Sequence, residues 1–176
     1  MNALVTRNRI IGLAFAALVF GLDQFVKWLV IAPLRLREVG VIELLPFFDL
    51  RYTENFGVSL GMLQATSMEM RWLLVAVTAM IALVVLVWMF REKTLPDILG
   101  LAMILGGALG NILDRFGLGY VIDYADFHIG DFRPFLIFNV ADAAITIGVV
   151  IILARSFFVR EKGGDHEQPA QQPAES

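Results

Sequence analysis

The chain has 176 residues, 58% of them hydrophobic and 18% charged, with a formal net charge of -3 and a mean hydropathy of +0.72. A soluble domain is about half apolar and a quarter charged, so this composition excludes an ordinary water-soluble globule. The chain has no cysteine, which excludes disulfides, a thiol nucleophile and thiolate metal sites, and it has no basic run able to neutralise several phosphates, so no nucleic-acid partner is expected.

The apolar residues fall in blocks of about 20, the length that spans the hydrocarbon core of a bilayer. The first block, residues 10–30, follows Arg7 and Arg9, carries Asp23 and Lys27 and lacks a small-residue cleavage pattern, so it reads as a retained helix. Residues 31–71 are too long for a plain connector. Within them, 39–45 and 47–53 alternate in polarity on either side of Pro46 and predict short strands lying on the membrane surface. The second span, 72–90, has no charge. After a hinge at 91–96, the third span, 98–113, is rich in glycine (Gly100, Gly106, Gly107, Gly110), which lets a neighbouring helix approach closely. The fourth is 135–153. Residues 161–176, rich in Gly, Pro, Gln and Glu, predict a disordered tail behind a single domain of residues 1–160. The fold class expected is an all-α integral membrane protein of four helices with a small β-rich surface element.

Four spans put both termini on one side, and the unopposed Arg7 and Arg9 place that side in the cytoplasm. Residues 31–71 and 114–134 then face outward. Asp23, Lys27, Asn111, Asp114, Arg115, Asn139 and Asp142 all lie toward the outer ends of their helices, whereas the inward halves carry no charge. A pore or proton relay needs polar groups through the whole thickness, so this distribution points to a cavity open to the outer leaflet. The rival readings are a small transporter or channel subunit, weakened by the missing internal repeat, and a non-catalytic assembly factor that binds a partner helix.

Asp23 and Lys27 are one helical turn apart and read as a structural ion pair. Asp114 is adjacent to Arg115, a spacing that does not bring two helical side chains face to face. Asp123 and Asp142 differ, since neither has a lysine or arginine within four residues. Brought together, two such acids would share a proton, giving a carboxylate that activates water beside an acid that protonates a leaving amine. The structural alternative is local: Asp142 as a helix-start residue and Asp123 in a turn after Gly117 and Gly119. Neutral amides at Asn55, Asn111 and Asn139 suit an extended peptide. Asn55 opens a segment in which Gly57 and Gly61 permit a tight loop, and residues 49–62 are a candidate movable cover. Ser59 with Lys27 as base is a rival nucleophile pair. The two histidines, His128 and His166, are poorly placed for a metal centre.

Taken together, Asp23-Gln24-Phe25-Val26-Lys27, the Asn55 to Gly61 loop, the run from Gly106 to Arg115, Val121-Ile122-Asp123-Tyr124 and the run from Phe138 to Ile145 resemble lipoprotein signal peptidase, the bacterial signal peptidase II. The resemblance implies an aspartic dyad at Asp123 and Asp142. It implies that Asn55, Arg115, Asn111 and Asn139 line the substrate site, with Gly57 in the neighbouring loop and with Asp23, Lys27 and Asp114 in support. The substrate it implies is a diacylglyceryl-modified prolipoprotein, cleaved just before the lipidated cysteine by a monomer that needs no cofactor, in the bacterial inner membrane among its lipids.

Overall fold

A computed structural model describes residues 3–58, 63–64 and 68–161, with side chains described for 3–57 and 68–157. Residues 162–176 of the expected disordered tail, Ser59 and Gly61 lie outside the described residues, while Glu161 ends a helix.

Four helices are long and apolar enough to cross a membrane: α1 (Ala3–Ile31), α3 (Met68–Arg91), α4 (Leu95–Gly117) and α5 (Val140–Glu161). Between α1 and α3 lie the short α2 (Leu36–Val39), strands β1 (Val41–Leu45) and β2 (Phe48–Asn55), and the small pair β3 (Gly57–Val58) and β4 (Leu63–Gln64). Between α4 and α5 lies β5 (Val121–Phe127), which pairs antiparallel with β2, so the sheet order is β1-β2-β5. Residues 49–55 of the expected cover thus form the central strand, bonded on both edges.

Helix α4 packs against α1, α3 and α5 and is the centre of the bundle. Its Ile98, Leu101, Ala102 and Leu105 join Ala16, Ala82, Val85 and Met89 in one core. Glycine makes the close packing possible: a Cβ at Gly107 would lie 2.5 Å from the Ala141 carbonyl oxygen, well inside van der Waals contact. The large side chains of α3, including Leu73, Met80, Ile81 and Val84, face outward, as lipid contact requires. Trp28 and Trp72 stand at one end of the bundle and Trp88 at the other, the depths at which amphipathic indoles settle.

Two span boundaries and the setting of Asp123 correct the sequence reading. The third span continues past residue 113 to Gly117, where Arg71 Nε donates to the Arg115 carbonyl at 2.8 Å and its Nη2 to the Phe116 carbonyl, one of the acceptors that a helix end leaves over. The fourth span starts at Val140 rather than 135, because Phe138 bonds to Ala125 of the sheet and Asn139 caps the helix. Finally, Asp123 is in the middle of a strand, paired with Thr53, and not in a turn.

Candidate functional site

The sheet sits at one end of the bundle, and the polar residues of the spans gather beneath it. Their geometry begins with the first turn of α5. Its leading backbone N–H groups have no intrahelical partner and must be satisfied from elsewhere. Val140 N donates to the Tyr124 hydroxyl (3.3 Å), Ala141 N to Asp23 Oδ1 (2.9 Å) and Asp142 N to Asn139 Oδ1 (2.9 Å). Asn139 N in turn donates to Asp142 Oδ2 (3.2 Å), closing a reciprocal capping box in which Asn and Asp replace the usual Ser and Glu. The helix-start role foreseen for Asp142 therefore coexists with its place in the polar cluster.

The second oxygen of Asp142 accepts from Asn111 Nδ2 at 2.9 Å. Asp123 is buried and accepts from two amides, Asn55 Nδ2 at 3.0 Å and Asn139 Nδ2 at 2.7 Å. Asn139 thus touches both carboxylates, that of Asp123 through its side-chain amide and that of Asp142 through its backbone N–H. Burial, reinforced by the negative charge of Asp142 and opposed by the two amide donors and Lys27, pushes the Asp123 carboxyl up to about 7. A carboxyl held there exchanges its proton near neutral pH, as a general acid or base must.

Lys27 Nζ fixes the amides. It donates to Asp23 Oδ2 (2.8 Å), Asp114 Oδ2 (2.8 Å) and Asn111 Oδ1 (3.3 Å), so all three of its hydrogens have partners. An ammonium has no acceptor, and its presence at Oδ1 forces Asn111 to present its NH₂ group to Asp142. Of the Ser59 and Lys27 alternative, Lys27 has its hydrogens engaged by Asp23, Asp114 and Asn111, and Ser59 lies outside the described residues. Lys27 is not a partner of Asp23 alone, and the acid it shares is Asp114, whose adjacent Arg115 was the nearer candidate in sequence.

Asp114 also accepts from Ile122 N at 3.2 Å, one residue before Asp123, and so ties β5 to the helices. Arg115 Nη2 reaches the Gly57 carbonyl at 3.3 Å, holding the backbone beside Asn55, and its charge acts on Asp142, Asp123 and Asp114. Gly110 passes directly beside Asp23, where a Cβ would collide with the carboxylate. All ten residues singled out in the sequence lie in this assembly. Two were missed. Gln24 Nε2 links Asp23 (3.1 Å) to Asp114 (3.2 Å), and Tyr124, whose phenol burial pushes up, accepts from Val140 N. Both stand in the quoted blocks next to an aspartate, yet adjacency in sequence says nothing about a shared partner. His128 is remote from the assembly and lies 3.2 Å from Asp49 at the far end of the sheet. Among the described residues no three His, Asp or Glu side chains converge as metal ligands.

Residues 15–158 match a family model described as signal peptidase (SPase) II. The chain is 56% identical over 153 residues to the lipoprotein signal peptidase of Sphingopyxis alaskensis, covering 87% of this chain and 88% of that one. It is 56% identical over 154 residues to the lipoprotein signal peptidase of Rhizorhabdus wittichii, covering 88% and 90%. A bacterial membrane enzyme solved by the in meso method at 2.3 Å superposes with a TM-score of 0.73 at 25% identity, over 92% of this chain and 94% of that one.

Proposed function

The chain belongs to the signal peptidase II family, and from that premise we propose that it is an aspartic endopeptidase cutting diacylglyceryl-modified prolipoproteins just before the lipidated cysteine. Membership makes it a multi-pass membrane peptidase and displaces the transporter and assembly-factor readings. The observation that carries the aspartic mechanism is Asn139 bonded at once to Asp123 and Asp142, with the Asp123 carboxyl raised to about 7 by burial and by its neighbour's charge.

In this reading Asp123 holds the proton and Asp142 is the carboxylate. Water attacks the scissile carbonyl carbon while Asp142 takes its proton and Asp123 protonates the carbonyl oxygen. As the tetrahedral diol collapses, the C–N bond breaks, Asp142 passes its proton to the leaving amine and Asp123 recovers its own. The products are a carboxyl-terminated signal peptide and a free amino group on the lipidated cysteine. Asn55, Asn111 and Arg115 flank the peptide, Gly57 leaves room for its backbone, and Asp23, Lys27 and Asp114 hold the helices and β5 in register. In this reading the protein acts as a monomer, and general acid–base chemistry by two carboxyl groups needs no cofactor. A scissile bond tethered to a diacylglyceryl group lies near the headgroups, at the level of the sheet end, which faces outward if both termini are cytoplasmic. The test is incubation of the purified chain with lipidated and unlipidated forms of one precursor, read by mass spectrometry. The expected result is a cut before the cysteine of the lipidated form only. Equal cleavage of the unlipidated form overturns the substrate assignment.

A further inference from the structure

Two loops at the far end of the sheet carry large apolar side chains into the open. Leu44 and Leu45 end β1 and Phe47 follows in the turn to β2, while Phe132, Phe135 and Leu136 lie between β5 and α5, with exposures from 46% at Phe47 to 66% at Phe132. They form one patch: His128 N donates to the Phe47 carbonyl at 3.0 Å, and the Phe47, Phe127 and Phe135 rings follow one another at 5.9 and 6.4 Å. The register shift between Glu43 and Leu45 breaks the strand alternation and turns both leucines outward.

We propose that these two loops are a lipid-contact surface, seated in the headgroup layer of the membrane that the helices cross. Continuity with the lipid-facing belt is the first ground. Leu136 is four residues before Val140, so it lies at most about 14 Å from the start of α5. The apolar stretch of α5, Val140–Phe157, is 18 residues, about 27 Å at 1.5 Å per residue, and fills the hydrocarbon core from Val140 onward. The patch therefore hangs within reach of the boundary on which Trp28 and Trp72 already sit. The backbone supplies the second ground. At the tip, Ile129 N donates to the Phe132 carbonyl (2.8 Å) and Phe132 N to the Ile129 carbonyl (3.2 Å), a closed turn that Gly130 permits with its φ of +60°. Pairing of the Ile129 and Phe132 main-chain groups lowers the cost of entering a poorly hydrated layer. Asp131, exposed within that turn, fixes the depth at the headgroups rather than the hydrocarbon. Contiguous exposed apolar surface of this kind marks a contact with lipid or protein, and lipid is the neighbour already present.

The consequence is mechanical. One loop is continuous with β2, which carries Asn55, and the other with β5, which carries Asp123, so both strands are held at a constant depth relative to lipid. The cysteine-free chain allows a direct test. Single cysteines at positions 45, 132 and 136, with position 25 on the outer face of α1 and position 43 as references, are spin-labelled in nanodiscs of phosphatidylethanolamine and phosphatidylglycerol holding one copy each. Oxygen collisions at 45, 132 and 136 are expected to exceed those of a water-soluble nickel chelate severalfold, as at position 25, with the order reversed at 43. Nickel accessibility at all three loop positions equal to that at 43 overturns the proposal and leaves a second copy or another protein as the occupant. No activity is read, so failure of the assay on prolipoprotein and failure of this surface are separate results.

Discussion

Replacing Lys27 by Met probes the ammonium on which the polar cluster is organised. The substitution keeps much of the apolar stem but leaves Asp23 and Asp114 facing each other, both buried, without the cation that lies 2.8 Å from each. Removing one member of a buried ion pair costs about 3–5 kcal/mol, much of it the penalty on the charge left behind. In a chain of this length each kcal/mol moves Tm by about 2–4 °C, so a loss of about 6–20 °C is expected by thermal scanning in detergent. Adding Asp114→Asn should return part of the loss, because a neutral amide oxygen can still accept from Ile122 N. Turnover should fall but stay measurable, since Asp123 keeps both of its amide donors and Asn139 Nδ2 still holds Asn111 Oδ1, leaving the Asn111 amide turned to Asp142. A Tm within about 2 °C of the parent, less than 1 kcal/mol by the same conversion, would refute the buried-cluster reasoning. If such a stable variant were fully inactive and Ser59→Ala were inactive too, a Ser59 nucleophile with Lys27 as base would become the better account.

The raised carboxyl of Asp123 sets a pH dependence. In the proposed mechanism Asp123 donates a proton, so kcat/KM should decline as pH rises through about 7, and Asp142→Asn should bring the Asp123 titration down, which ¹³C-labelled aspartate spectra would show. Stability follows the same sign: the folded chain keeps a proton that the unfolded chain releases above the usual 3.8, so this group's contribution is greatest below that value and is lost as pH climbs to about 7. Gly107→Leu should force α4 and α5 apart at Ala141, lowering Tm and turnover together, and retention of full activity would contradict the close packing. Cysteines placed singly at positions 40 and 170 should divide under an impermeant thiol reagent in intact cells, with 40 labelled and 170 protected; the opposite pattern reverses the orientation.

The spans were legible as apolar runs long enough to cross a bilayer, and β1 and β2 through their alternation. The charge-free second block and the alternation on either side of Pro46 correspond to α3 and to β1 with β2. Asp142 was legible as a helix-start residue, since Asn139 three positions before it makes the local box. The strand at Val121–Phe127 was hidden: its residues are buried on both faces, so no alternation marks it, and its partner β2 lies some 70 residues earlier. The same distance concealed the triple role of Lys27. Spacing reveals the i,i+4 acid Asp23, whereas Asp114 and Asn111 arrive only when α4 packs against α1. The early start assigned to the fourth span reflects Phe135 and Leu136, whose apolarity counts toward a helix by hydropathy but stands exposed in the loop that precedes Asn139.

The dyad is tested most directly by turnover of a diacylated precursor by Asp123→Asn and Asp142→Asn, each shown by circular dichroism and thermal scanning to insert and fold as the parent does. Either substitution removes one of the two carboxyl groups between which the proton must pass, so neither variant is expected to release signal peptide above the uncatalysed background while the parent processes the precursor completely. Substantial cleavage by either single variant would contradict the shared-proton mechanism.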